Sequence, residues 1–305
     1  MHTEIKKIIG DIKSLKIQGA RNVAKASIKA LIIHAKHSRA STPRKFYNEI
    51  KKLSSVLAKT RPTEPMMRNA LRSAVEYLYS EVKTKQSGKA LMKKFIRREE
   101  LYLKKVSEDA KKLFEYGAKL VPKGALVITH CHSSTVTGIL KKAKNKKIKV
   151  IACETRPRYQ GRITAKELAD AGIDTTIVVD GAMNLYMKKA DLVMVGADSI
   201  TSRGDLINKV GTSTLAHIAK MHDTSFYSAA ELFKYSSRTF YGEREKIEER
   251  NPKEVWEKPP RKVKVSNPAF DVTSAKYING YITELGVIPP PAFFSLATRK
   301  LGIKI

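Results

Sequence analysis

The sequence predicts an α/β protein: an all-helical N-terminal domain over 1–120, then a Rossmann-like parallel-sheet domain over 121–305. Three observations carry that expectation. Up to about residue 124 apolar residues recur at helical spacing and no β pattern appears. After Gly124 the short apolar runs ALVIT, KVIAC, TTIVV, DLVMV and TSFYSA alternate with helical stretches, as parallel strands joined by right-handed crossovers do. The first of those runs breaks directly into a small polar turn and then a helix.

Residues 4–17 place Ile5, Ile8, Ile9, Ile12 and Leu15 on one helical face, with lysines opposite. Gly19 and Ala20 are small where a chain turns or packs closely, and a second helix resumes from Val23 to Ile33. Arg21 beside them could serve a phosphate or simply face water. Thr42-Pro43 starts a third helix, from Arg44 to Ala58. The segment TRPTEPMMRN interrupts it, because Pro62 and Pro65 cannot continue the hydrogen-bond ladder. Lys-rich amphipathic helices are expected over about 66–83 and 87–119.

In the second domain, helices are expected at about 135–145, 164–172, 182–189 and 208–222. Ligands of such a sheet bind beyond the carboxyl ends of its strands. After ALVIT come His130, Cys131, His132, Ser133, Ser134 and Thr135. The turn and the following helix start offer backbone N–H groups to an anion, phosphate above all. Cys131 sits in that turn, where a helix N-terminus and basic side chains favour its thiolate. After KVIAC come Arg156 and Arg158, well suited to phosphate. After TTIVV comes Asp180, and after DLVMV come Gly196, Ala197 and Asp198. Asn208 and Lys209 are read as a helix start, and Glu231 and Lys234 follow TSFYSA. Residues 235–265 are polar, with few apolar anchors, a lid or subunit contact at the rim. In the final segment, which ends in a proline stop, Asp271 either caps a helix near Ser274 or holds an interface.

The composition, 42% hydrophobic and 29% charged, is that of a globular chain. Lys and Arg number 59 against 29 Asp and Glu, a net charge of +30. The excess is spread along the chain, a field that favours RNA, an acidic protein or a phosphorylated small molecule. Two cysteines make no disulfide framework, and no CxxC or Cys/His cluster offers a metal site. No GxGxxG follows the first strand, which argues against a dinucleotide cofactor. Neither a metal nor a cofactor is expected. No apolar run suits a membrane span and the N-terminus is unlike a signal peptide, so the expected location is cytoplasmic.

THCHSSTV, ETRPRYQG, GADSITSRGDLINKVGT, LFKY and NPAFDVT, in this order, resemble one superfamily over nearly the whole chain. It unites the alpha, beta and delta regulatory subunits of translation initiation factor 2B with two sugar-phosphate isomerases. Those act on methylthioribose 1-phosphate and, in archaea, on ribose 1,5-bisphosphate in nucleotide salvage. The isomerases are distinguished by a catalytic Cys in the first motif and a catalytic Asp in the GAD motif, here Cys131 and Asp198. The resemblance implies substrate contacts at Gly19, Ala20, Arg21, Asn22 and Arg61 from the helical domain. From the sheet domain it implies Ser133, Ser134, Thr135, Asn208, Lys209 and Lys234. His132 stands where the isomerases often have Asn, and Ser202-Arg203 precedes Gly204 where an Asn is common.

The chemistry so implied is an aldose–ketose isomerisation of a phosphorylated sugar, ribose 1,5-bisphosphate to ribulose 1,5-bisphosphate. An aldose 1-phosphate cannot open its ring as a free sugar does, because its anomeric oxygen is blocked. Asp198 is then the acid for the ring oxygen and Cys131, as thiolate, the base at C2, with a hydride shift as the competing route. The resemblance also implies a homo-oligomer, dimer or hexamer, and leaves room for a nucleotide activator. The other reading is a non-catalytic regulatory subunit that binds initiation factor 2 or RNA, which the net charge suits.

Overall fold

The computed structural model describes residues 2–303, residue 85 apart. They fall into two compact units, one ending at Asp109 and the other starting at Ala110. The first is helical: α1 (Thr3–Lys13), α2 (Ala20–His37), α3 (Pro43–Ala58), α4 (Pro65–Glu81) and most of α5 (Gly88–Leu120). Its amphipathic faces turn inward, burying Ile5 and Ile12 of α1, Ile28 and Leu31 of α2, and Leu71 and Leu78 of α4. Phe46 and Phe95 meet edge to face, ring centroids 5.6 Å apart. Pro43 and Pro65 each stand in the first turn of a helix, where a missing N–H costs nothing.

The second unit is built on a seven-stranded sheet. In chain order its members are β1 (Leu126–His130), β2 (Lys149–Cys153), β3 (Asp174–Val178), β4 (Leu192–Val195), β7 (Ser225–Ala229), β9 (Gly280–Thr283) and β10 (Gly286–Ile288). Across the sheet they run β10-β9-β7-β4-β1-β2-β3. All neighbours are parallel except the β9–β10 hairpin. The crossovers are α6 (Ser134–Lys142), α7 (Gln160–Asp170), α8 (Met183–Met187) and α9 (Thr212–Met221). The chain winds outward from β1 to β3, then returns to place β4 on the other side of β1. That reversal opens a crevice at the carboxyl ends of β1 and β4. Among the described residues no helix is long and apolar enough to cross a membrane.

A second, three-stranded sheet holds β5 (Ser199–Ile200), β6 (Leu206–Lys209) and β8 (Phe270–Thr273). It corrects the expected helix over 208–222. Asn208 and Lys209 lie at the end of β6, paired antiparallel with Asp271 and Phe270. Gly211, at φ +102°, then breaks the strand so that the helix starts only at Thr212. Asp271 caps that helix and not one near Ser274, where there is only a short 3-10 turn over Ala275–Tyr277. Its Oδ2 accepts the N–H groups of Gly211 at 2.7 Å and Ser213 at 3.0 Å. The prolines expected to stop the chain instead open a last helix, α10 (Pro290–Leu301).

Candidate active site

The turn that carries Cys131 leaves β1 at the reversal, and Gly196, Ala197 and Asp198 leave β4 beside it. A Cβ at Gly196 would lie 2.7 Å from Ser133 Oγ, so glycine there lets the turn after β1 close on the end of β4. Ser133 caps α6, its Oγ accepting the Val136 N–H at 3.4 Å. Ser134 and Thr135 form the first turn, at the end of a helix whose dipole favours an anion.

Cys131 has a left-handed backbone, φ +66°, at a cost of about 1–3 kcal/mol for such a residue. Its N–H donates to Thr155 Oγ1 at 2.8 Å, and its carbonyl accepts from Thr164 Oγ1 at 2.9 Å. Burial pushes its thiol up to about 11; Lys209 opposes this, while Asp198 and Asp180 add to it. Desolvation thus favours the thiol over the thiolate, against the expectation from the helix start and the nearby cation. Cys153, in β2, is buried and pushed up to about 12 by desolvation and by Asp180.

Two cations come to the same crevice from different sheets. Lys234, in a 3-10 turn after β7, donates to the Ala197 carbonyl at 2.7 Å, next to Asp198. Glu231 Oε2 lies 3.5 Å from its ammonium, and both side chains are buried. Lys209 is buried at the end of β6, its Nζ 5.1 Å from the centre of the Phe270 ring. Asn208 Nδ2 donates to Thr212 Oγ1 at 3.0 Å, which ties the strand end to the first turn of α9.

His130 and Thr155 stand at strand ends in the sequence without an assigned role there, and Thr164 carried no signal. His130 is buried, and a Cβ at Gly211 would come within 3.0 Å of its Nε2. Burial holds His130 down at about 4, against Asp180, whose Oδ1 is 3.9 Å from Nε2, and with help from Lys209. It is therefore neutral at pH 7, and its Nδ1 has no hydrogen-bond partner among the described residues. Thr155 stands in the ETRPRYQG motif, which was a signal; its left-handed φ, +66°, was not readable. His132 Nδ1 lies 3.1 Å from Thr164 Oγ1, and Nε2 lies 3.8 Å from Glu167.

Arg156 and Arg158 serve the 235–265 arm. Arg156 donates to Tyr159 Oη at 2.6 Å and to the Val255 carbonyl at 3.0 Å, and Arg158 pairs with Glu254 at 3.5 Å. The remaining expected contacts lie in the helical unit. Gly19, φ +82°, precedes α2, Ala20 and Arg21 begin it, and Asn22 donates to the Gln18 carbonyl at 3.1 Å. Arg61, between α3 and α4, donates to the buried carboxylate of Glu64 at 3.0 Å. No three His, Cys, Asp or Glu side chains among the described residues are placed to hold a metal ion.

A thiol and a carboxyl stand at the strand reversal of a doubly wound sheet with two buried lysines, chemistry that suits an anionic small molecule. The chain belongs to the Initiation factor 2 subunit family, whose model matches residues 16–290. It is similar to a Pyrococcus furiosus protein named ribose 1,5-bisphosphate isomerase, 40% identical over 98% of this chain and 94% of that one. An Archaeoglobus fulgidus protein of the same name is 39% identical over 95% of this chain and 91% of its own length. Among solved structures, the translation initiation factor eIF-2B of Pyrococcus horikoshii superposes with a TM-score of 0.76 at 30% identity. That match covers 95% of this chain and 98% of the other.

Proposed function

We propose that this protein is an aldose–ketose isomerase that converts ribose 1,5-bisphosphate to ribulose 1,5-bisphosphate. The observation that carries the reading is the pairing of Cys131 with Asp198 on the two strand ends that flank the sheet reversal. The names of the Pyrococcus furiosus and Archaeoglobus fulgidus relatives support the substrate.

On the proton-transfer route the reaction needs one group to protonate the ring oxygen and another to take the C2 proton and return a proton to C1. Asp198 is assigned the first role and Cys131 the second. Burial favours the thiol, so the base role requires it to give its proton to solvent as the complex forms, where Lys209 is the cation that favours its anion. Lys209, Lys234, Asn208 and the α6 start, with Ser133, Ser134 and Thr135, are assigned to one end of the substrate. Gly19, Ala20, Arg21, Asn22 and Arg61 keep the role of substrate contacts that the resemblance gives them.

Incubation with ribose 1,5-bisphosphate should yield ribulose 1,5-bisphosphate; absence of product while the phosphates still bind would overturn the reading. Deuterium at C2 separates the two routes, being exchanged at least in part with water in proton transfer and fully retained at C1 in a hydride shift. We further assign the protein to the cytoplasm, to nucleotide salvage and to a homo-oligomer built on the α/β unit. Sedimentation at micromolar protein should then show a species heavier than the 34.1 kDa chain.

A further inference from the structure

We infer that Thr155 and Asp180 are positioning residues for Cys131, a clamp that runs across the ends of three adjacent parallel strands. This rests on the isomerase reading for its kinetic consequence, not for its geometry. The clamp starts at Asp180, beyond β3. Its Oδ1 accepts the Thr155 N–H at 2.8 Å and its Oδ2 accepts the Arg156 N–H at 2.7 Å. Two successive N–H groups on one carboxylate fix the turn after β2. Thr155, fully buried in that turn, spends its hydroxyl hydrogen on the Cys153 carbonyl at 3.0 Å. The lone pairs of Oγ1 are thereby left to accept the Cys131 N–H at 2.8 Å.

The two residues so joined, Cys131 and Thr155, both have φ +66°, a conformation that non-glycine residues adopt only when their surroundings impose it. Thr164 closes the other side by donating to the Cys131 carbonyl. Both backbone polar groups of Cys131 are therefore held by threonine hydroxyls, and the direction of its side chain follows from them. Neither threonine needs to touch the substrate. Without Oγ1 the Cys131 N–H is left in a partly buried turn with no acceptor, and the backbone can relax away from the left-handed region.

Thr155→Val deletes the hydroxyl and keeps the branched shape; Thr155→Ser keeps the hydroxyl. With ribose 1,5-bisphosphate, Thr155→Val should lower kcat by about 10²-fold, the size expected for a reacting group misplaced by about 1 Å, with KM little changed. Thr155→Ser should restore most of the rate. Independently of turnover, the pH dependence of Cys131 alkylation by iodoacetamide, read by peptide mass, should shift in Thr155→Val and return in Thr155→Ser. Thr164→Val, which frees the Cys131 carbonyl without changing any charge, should likewise shift alkylation and serves if the Thr155→Val variant does not fold. Wild-type kcat and alkylation in Thr155→Val, or equal loss in the valine and serine variants, would overturn the inference. A wild-type protein that does not turn over the bisphosphate would defeat the isomerase reading alone, since the alkylation shift would still test the clamp.

Discussion

His130 and Cys131 are neighbours in the chain, yet burial moves their titrations to opposite ends of the pH scale. His130 has a native pKa near 4, below the value of about 6.5 for an exposed imidazole. As pH falls through 6.5 the unfolded chain takes the proton first, so this group's contribution to stability is complete above 6.5 and lost down to 4. The loss is about 3 kcal/mol. Urea midpoints should fall over that range, and His130→Asn should flatten the fall; an unaltered slope would exclude His130 as its source. For Cys131, held near 11, iodoacetamide reactivity should climb about tenfold per pH unit from 7 to 10. Cys131→Ser should abolish turnover with the fold intact. Asp198→Asn should bind substrate and fail to convert it; weakened binding with the rate preserved would leave Asp180 or Glu231 as candidates for the acid.

Elements divide by how locally their reasons are written. The five N-terminal helices and strands β1 to β4 and β7 were legible because each shows its period or its apolar run within a dozen residues. The small sheet was not, because Asn208 of β6 finds its partner at Asp271, far along the chain, and each strand is too short to show alternation. Pro290 concealed α10 because proline both stops a helix and starts one. At the site, Cys131 and Asp198 could be read from the strand-end rule. The raised thiol titration could not, since it comes from burial by segments distant in sequence. Asp271 links the two levels as the cap of α9 and a rung of the small sheet. Asp271→Ala should cost about 1–2 kcal/mol, measured by urea unfolding, by orphaning the Gly211 and Ser213 N–H groups. A cost near zero would mean that water replaces it.

Over the whole molecule the net charge is +30, and the basic run on α5 is met locally by acidic side chains. On α5, Lys94 pairs with Glu81, Lys104 with Glu108 and Lys105 with Asp109, while Arg98 turns in to the buried Glu99. RNA binding through α5 should therefore be weak and lost near physiological salt. Reversing Lys93, Lys94, Arg97 and Lys104 to Glu should leave kcat unchanged and lower kcat/KM only slightly, through weaker steering of the anionic substrate. A salt-resistant complex with tRNA that the reversal abolishes would favour the regulatory reading. The 235–265 arm has a different consequence. Upstream it leaves from Tyr235, fully buried, with the Ser236 N–H on the Ile200 carbonyl; downstream it returns into the β6–β8 ladder. Arg261, Lys262 and Lys264 lie exposed between those anchors. Trypsin cutting there would leave two fragments on a denaturing gel and one undivided, folded particle on a native one.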